Sequence, residues 1–170
     1  MSARFNQVAI SVADREASLA FYRDLFELTH VGGTHFSGKS TEAVQGMAGA
    51  SSNCSWLMDD RPYFQFEIFQ FDCPLGRTLA TNRRPQDIGY SRLIFSVPAL
   101  DPVATRAGVE VLELHGKRTS FLRDPDGIAV QIIEAAVPQA RLTGAALSVP
   151  DMEIAKRSFA DGCGCTQLSA

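Results

Sequence analysis

No stretch of this chain stays apolar for anything close to the roughly 20 residues that a bilayer crossing needs, so it is read as a protein without a membrane segment. Positive charge is not in excess either: 16 Lys and Arg stand against 19 Asp and Glu, a net charge of -3. That leaves no basic footprint for nucleic acid. Met1 to Phe5 lack the charged region and following apolar stretch of a secretory signal, and the chain is expected to be cytoplasmic. No C-x-x-C pair occurs among the four cysteines, so a structural zinc site is not indicated. Cys163 and Cys165 form a C-x-C near the end and are read as thiols of a tail; Cys54 and Cys73 lie in strand-like surroundings and are read as small buried hydrophobes. What remains is 170 residues, 45% hydrophobic and 21% charged. That suits one compact domain with an appendage, handling something small.

One phrase occurs three times: Asn6-Gln7-Val8-Ala9-Ile10-Ser11-Val12-Ala13-Asp14, then Ser91 to Pro98, then Thr143 to Asp151. Each copy alternates apolar side chains, as a half-buried strand does, and leads into a short amphipathic segment. In the first copy Asp14 suits a helix cap, and Ala17, Phe21 and Leu25 recur every four residues, with Tyr22 and Phe26 beside them, up to about Glu27. Leu28 to Phe36 reads as a second strand broken by Gly32-Gly33. Ser37 to Ser52 reads as a loop with a helical turn near Ala43 to Met47. Cys54 to Met58 and Tyr63 to Phe71 follow as strands, joined through the turn composition of Asp59 to Pro62.

The second copy repeats that order. Arg92 to Val97 is a strand, Asp101-Pro102 starts a helix with proline in its first position, and Gly108 ends it. Val109 to Leu114, Thr119 to Leu122 and Ile128 to Ile133 are strands, the last two joined by the turn Asp124-Pro125-Asp126-Gly127. The third copy, strand Leu142 to Val149 and helix Asp151 to Phe159, stops there. The fold class is therefore α+β: paired βαβββ units forming a cup-shaped mixed sheet, with an additional C-terminal half unit of one strand and one helix. The units fall at about residues 5–72 and 90–136 within a domain 1–136, with the partial unit and tail at 137–170.

Two consecutive βαβββ units, carrying Phe21-Tyr22-Arg23-Asp24-Leu25-Phe26 in the first and Asp124-Pro125-Asp126-Gly127 before the last strand of the second, resemble the vicinal oxygen chelate superfamily. Its members include glyoxalase I, extradiol dioxygenases and bleomycin-resistance proteins. The layout is most similar to the N-terminal domain of a two-domain extradiol dioxygenase, with the half unit as the start of a second domain. The resemblance implies a cup holding a divalent metal on four strands, and the positions matching its ligands are Gln7, Glu67, Arg92 and Gln131.

Those four residues depart from a metal site. A guanidinium has no lone pair and stays protonated, and Gln131 replaces a carboxylate that would offset metal charge. The expected site is thus degenerate: no cofactor and no metal, with Gln7, Glu67, Arg92 and Gln131 as ligand-binding residues. Arg92 has three readings: an ion pair with Glu67 inside the cup, a donor to a bound anion, or a side chain turned to solvent. By strand parity Glu67 shares a face with Phe69 and Phe71, while Phe64 and Phe66 belong to the core. His30, His35 and His115 sit off the ligand positions and read as surface residues, and Arg83-Arg84 and Lys117-Arg118 as solvated charge. Glu134, three residues past Gln131, falls on the opposite face.

The function read from this is a small-molecule-binding protein of the glyoxalase and dioxygenase type, taking an aromatic or anionic ligand. The alternative is a metal-dependent extradiol dioxygenase or glyoxalase-like lyase that uses Fe, Mn, Ni or Zn through other ligands; a purely structural subunit is a third. The orphan strand of the third copy needs an edge to pair with, in its own sheet or in a second subunit, and a homodimer is expected on that account.

Overall fold

In the computed structural model, which describes residues 6–77 and 84–166, the first repeat folds as β1 (Gln7–Ser11), α1 (Arg15–Phe26), β2 (Thr29–Phe36), α2 (Lys39–Gln45), β3 (Ser51–Met58) and β4 (Gln65–Cys73). The second gives β5 (Gly89–Val97), α3 (Leu100–Ala107), β6 (Leu112–Leu114), β7 (Lys117–Arg123) and β8 (Ala129–Glu134). The third contributes β9 (Arg141–Ser148), α4 (Met152–Arg157) and a wider-wound turn, Ser158–Gly162. The strands make two mixed sheets, β1-β4-β3-β2 and β6-β7-β8-β5-β9. In each unit the first strand runs parallel to the last.

Asp14 caps α1 as the sequence indicates. Its extended backbone lets the carboxylate accept from the Ala17 N–H at 3.1 Å, and Glu16 in the first turn and Arg23 in the last suit the helix dipole. The buried stripe keeps Leu25, Tyr22 and Phe26 of the expected face, with Phe21 partly buried against the core, and adds Ser18 and Leu19, while Ala17 is exposed. That stripe is centred on Tyr22, because the packing partner is the second unit as well as the first unit's own sheet. The segment read as loop up to Ser52 already pairs at Ser51 in β3, and the helical turn lies earlier, at Lys39–Gln45. Pro102 is the third residue of α3, still inside the turn whose N–H groups have no helical acceptor, so its missing donor is harmless. The Leu100 N–H is instead taken by Glu134 Oε2 at 2.8 Å.

Gly32 and Gly33 are needed where they stand. A register shift falls between His30 and Gly32, Gly32 adopts φ +125°, and a β carbon on Gly33 would sit 2.3 Å from the Cys54 carbonyl oxygen.

The core lies between the units. The Phe26 and Phe95 rings stack with centroids 3.9 Å apart, and Tyr22 meets Phe66 edge-on at 4.7 Å. Tyr22, Phe66, Phe95, Ile68, Leu93 and Ile132 are all fully buried. The Tyr22 hydroxyl donates to Asp124 Oδ2 at 2.7 Å, so the first unit's helix is bonded to the second unit's turn. Asp124 Oδ1 accepts from the N–H groups of Asp126 and Ile128, closing the turn on itself. Asp126 then reaches back, accepting from the Ala13 N–H at 2.7 Å and from Ser18 Oγ at 3.0 Å.

The orphan strand finds its edge within the chain. β9 runs antiparallel to β5, with Gly144 opposite Ile94 and Ala146 opposite Arg92. It is also tied to the first unit: Arg61 pairs with Asp59 and donates to the Leu142 carbonyl at 2.7 Å, and Arg141 pairs with Asp60. One edge of the strand is therefore paired within the chain, and β9 forms the end of its sheet. α4, capped by Asp151 much as α1 is by Asp14, buries none of its residues.

The cysteines divide differently from the expectation. Cys54 is buried, whereas Cys73, Cys163 and Cys165 are exposed. Burial, with the nearby Glu67 carboxylate adding to it, pushes the Cys54 thiol up to about 12, so it remains a neutral hydrophobe at any ordinary pH.

Two outcomes follow. Tyr22→Phe leaves a buried Asp124 oxygen without its donor and should lower unfolding stability by about 1–3 kcal/mol near neutral pH. Burial already raises the Asp124 carboxyl, and the Tyr22 bond partly offsets this by favouring the charged form. Removing the bond raises that carboxyl further, so the gap between wild type and variant should shrink as pH falls through its range, as denaturant titrations at several pH values would show. A thiol reagent at pH 8 should label Cys73, Cys163 and Cys165 on the native protein and reach Cys54 only after unfolding.

Candidate functional site

Alternation along the strands sets which residues reach the open face of each sheet. In β1, Val8 and Ile10 are buried while Gln7, Ala9 and Ser11 are exposed. Glu67 stands opposite Ala9 on one side and Trp56 on the other, so Gln7, Glu67 and Trp56 share the open face of the first sheet. Phe69 and Phe71 lie on that face with stacked rings 6.3 Å apart, and Phe36 stacks on Phe69 at 5.9 Å. Phe64 and Phe66 are in the core, as parity required. The indole Nε1 of Trp56, the only tryptophan, donates to Glu67 Oε1 at 2.8 Å.

Arg92 and Gln131 stand on the second sheet. Arg92 Nε donates to Gln131 Oε1 at 2.8 Å, and Gln131 Nε2 reaches Thr119 Oγ1 at 3.3 Å. The sequence-level pairing of Arg92 with Glu67 is therefore replaced: among the described residues the guanidinium is held by an amide of its own sheet, and the carboxylate by an indole of its own. The fold brings Arg92 together with Gln131, and sets Gln7 near Glu67 on neighbouring strands. Among the described residues no hydrogen bond or ion pair joins one sheet's pair to the other's.

The donor set does not suit a divalent cation. An arginine occupies one of the four matched positions and uses the oxygen of the amide at another, leaving one carboxylate and one glutamine. Among the described residues no group of three or more His, Cys, Asp or Glu is placed to hold a metal. The histidines are exposed: His30 contacts the Gly32 carbonyl, and His35 lies against Asn53 and Asp72. Glu134 does not stand in for the absent carboxylate, since it caps α3 and pairs with Arg118, contacts that hold it below the usual range for a glutamic acid. Arg118 also pairs with Asp101, so it is not the solvated charge that the sequence suggested; Arg83 lies outside the described residues.

A cavity of about 380 Å³ opens at the junction of the two units. One wall is β1 from Val8 onward, the opposite wall is the start of β5 with Arg92 and Leu93, and Ile128 and Ala129 close one end. Arg77, Arg84, Arg92 and Arg123 all border it. Of the four residues singled out in the sequence only Arg92 lines this space. Arg77, Arg84 and Arg123 are far apart in the chain and belong to no motif, so only the packing of the units reveals that they converge.

No family model and no curated protein matches this sequence. Solved structures do. A glyoxalase family protein from Bacillus cereus superposes with a TM-score of 0.68 at 19% identity, over 77% of this chain and 93% of that one. Glyoxalase I from Zea mays gives 0.70 at 16% identity over 99% of this chain, the third repeat included, and 57% of its own length, so the chain spans little more than half of the maize enzyme. A glyoxylase/bleomycin resistance protein/dioxygenase domain from Frankia sp. gives 0.55 at 18% identity over 79% and 99%. With its repeated βαβββ order and two mixed sheets, the chain has the vicinal oxygen chelate fold, the fold of the glyoxalase, bleomycin-resistance and dioxygenase proteins.

Proposed function

We propose that this protein binds a small aromatic or anionic molecule and does so without a metal, using Gln7, Glu67, Arg92 and Gln131 as ligand-binding residues. The observation that supports the reading is the Arg92–Gln131 hydrogen bond: a fixed cation occupies the place where a chelating fold needs lone pairs. With Nε engaged, both amino groups of Arg92 remain to face a carboxylate or phenolate, which is the geometry an arginine uses best. Trp56, Phe69 and Phe71 add aromatic surface on the other sheet. The four free thiols fit a cytoplasmic protein. Among the described residues no helix is long and apolar enough to cross a membrane.

A homodimer belongs to the same proposal, with a different basis. β9 ends its sheet, pairing on one side with β5, and its outer edge is the place for a second copy to add.

Metal analysis of untagged protein, purified without chelator and then dialysed against Fe, Mn, Ni or Zn, should find well under one ion per chain. A stoichiometric ion whose retention depends on Glu67 would instead favour the metal-dependent dioxygenase or lyase. Light scattering across a concentration series should show a dimer. A monomer at every concentration would remove the second copy.

A further inference from the structure

The junction cavity has a charge balance opposite to that of the whole molecule. The chain carries a net -3, yet among the described residues four arginines border this space against one acid, Asp126. Asp126 is already engaged, one oxygen by the Ala13 N–H and the other by Ser18 Oγ. Arg84 is partly offset by Asp87. Arg123 uses Nη1 on the Gly127 carbonyl and Arg92 uses Nε on Gln131, so the remaining N–H groups of both have no acceptor among the described residues.

The strand edge adds main-chain donors and acceptors. At the ends of β1 the main chain turns toward β4: the Asn6 carbonyl accepts from the Gln65 N–H, and the Val12 N–H donates to the Phe69 carbonyl. Alternation then directs the N–H and C=O groups of Ala9 and Ser11 away from β4, and both residues line the cavity. Val8, Ile10, Leu93 and Ile128 give an apolar bed, beside which Tyr90 and Ser91 also line the space. Guanidinium groups and main-chain N–H groups around an apolar bed are complementary to an oxyanion carried on a hydrophobic body.

We propose that this inter-unit cavity is a binding site for a small apolar acid: a ring or short alkyl body seated against β1 and Leu93, with its carboxylate or phosphate head among Arg77, Arg92 and Arg123. The volume of about 380 Å³ is at the low end for small-molecule sites, which fits one or two rings and excludes a long chain. The proposal rests on the small-molecule reading above, shares Arg92 with it, and places an anionic ligand at the junction instead of on the open sheet faces.

Calorimetric titration with 2-naphthoate tests it, with 1-naphthyl phosphate, neutral 2-naphthamide and inorganic phosphate as the other arms. The naphthoate or the naphthyl phosphate should bind at one site per chain, and the amide and inorganic phosphate at least tenfold more weakly. Arg77→Gln with Arg123→Gln, both exposed residues outside the core, should weaken the anion tenfold or more, flatten its dependence on salt, and leave melting unchanged. Equal binding of acid and amide, inorganic phosphate binding as tightly as the naphthyl compounds, or indifference to the arginine variants would overturn the site. So would binding only of an extended acidic peptide, which would make the β1 edge a strand-addition surface. Metal content decides the broader reading by itself, so a metal-free protein that ignores naphthoate loses this site and keeps that reading.

Discussion

The hydrogen bond between Tyr22 and Asp124 is the constraint on which the arrangement of the two units depends. It joins residues 102 positions apart in the chain, inside the aromatic cluster that forms the core. Burial raises both groups above their ordinary values, so neither is comfortable there as an ion without the other's proton. Stacking of Phe26 on Phe95 supplies apolar contact, which is tolerant of small slips, while the Tyr22 hydroxyl and the closed turn around Asp124 fix one register. The cavity at the junction has its shape because of this register, since β1 and the turn at Asp126 both form its walls.

Much of this was legible in the sequence because it repeats. Three copies of one strand phrase gave the order of elements, and aspartates at matching places, Asp14 and Asp151, cap the helices after the first and third copies. The two motifs that carried the resemblance turn out to touch each other: Tyr22 of the first bonds to Asp124 of the second. Periodicity could not reveal that, because it describes one element at a time. For the same reason the centre of the buried stripe of α1 was not legible: of the row Ala17, Phe21 and Leu25, Leu25 is buried and Phe21 packs against the core, but a tyrosine with a distant carboxylate partner takes the middle and Ala17 is left exposed.

The candidate site was legible in its chemistry and less so in its connections. Substitution of a cation and an amide at metal-binding positions is visible in the residues alone, and so is the parity that separates Phe69 and Phe71 from Phe64 and Phe66. The partner of Arg92 was not, because a guanidinium can satisfy itself on any nearby oxygen, and the amide of Gln131 on the adjacent strand is closer than a carboxylate on another sheet. Each sheet thus neutralises or solvates its own polar groups locally, Glu67 through Trp56 and Arg92 through Gln131. The arginines that border the cavity come from a connector, a strand start and a strand end, places with no shared pattern in the sequence.

The bond from Trp56 to Glu67 has a practical consequence. Since this is the sole indole of the chain and its N–H is tied to a carboxylate on an open sheet face, its emission carries the signal of one microenvironment only. A docked molecule that competes for that carboxylate alters the colour and yield of the fluorescence. The protein thereby contains its own optical gauge of occupancy on the first sheet, separate from the arginine-bordered junction.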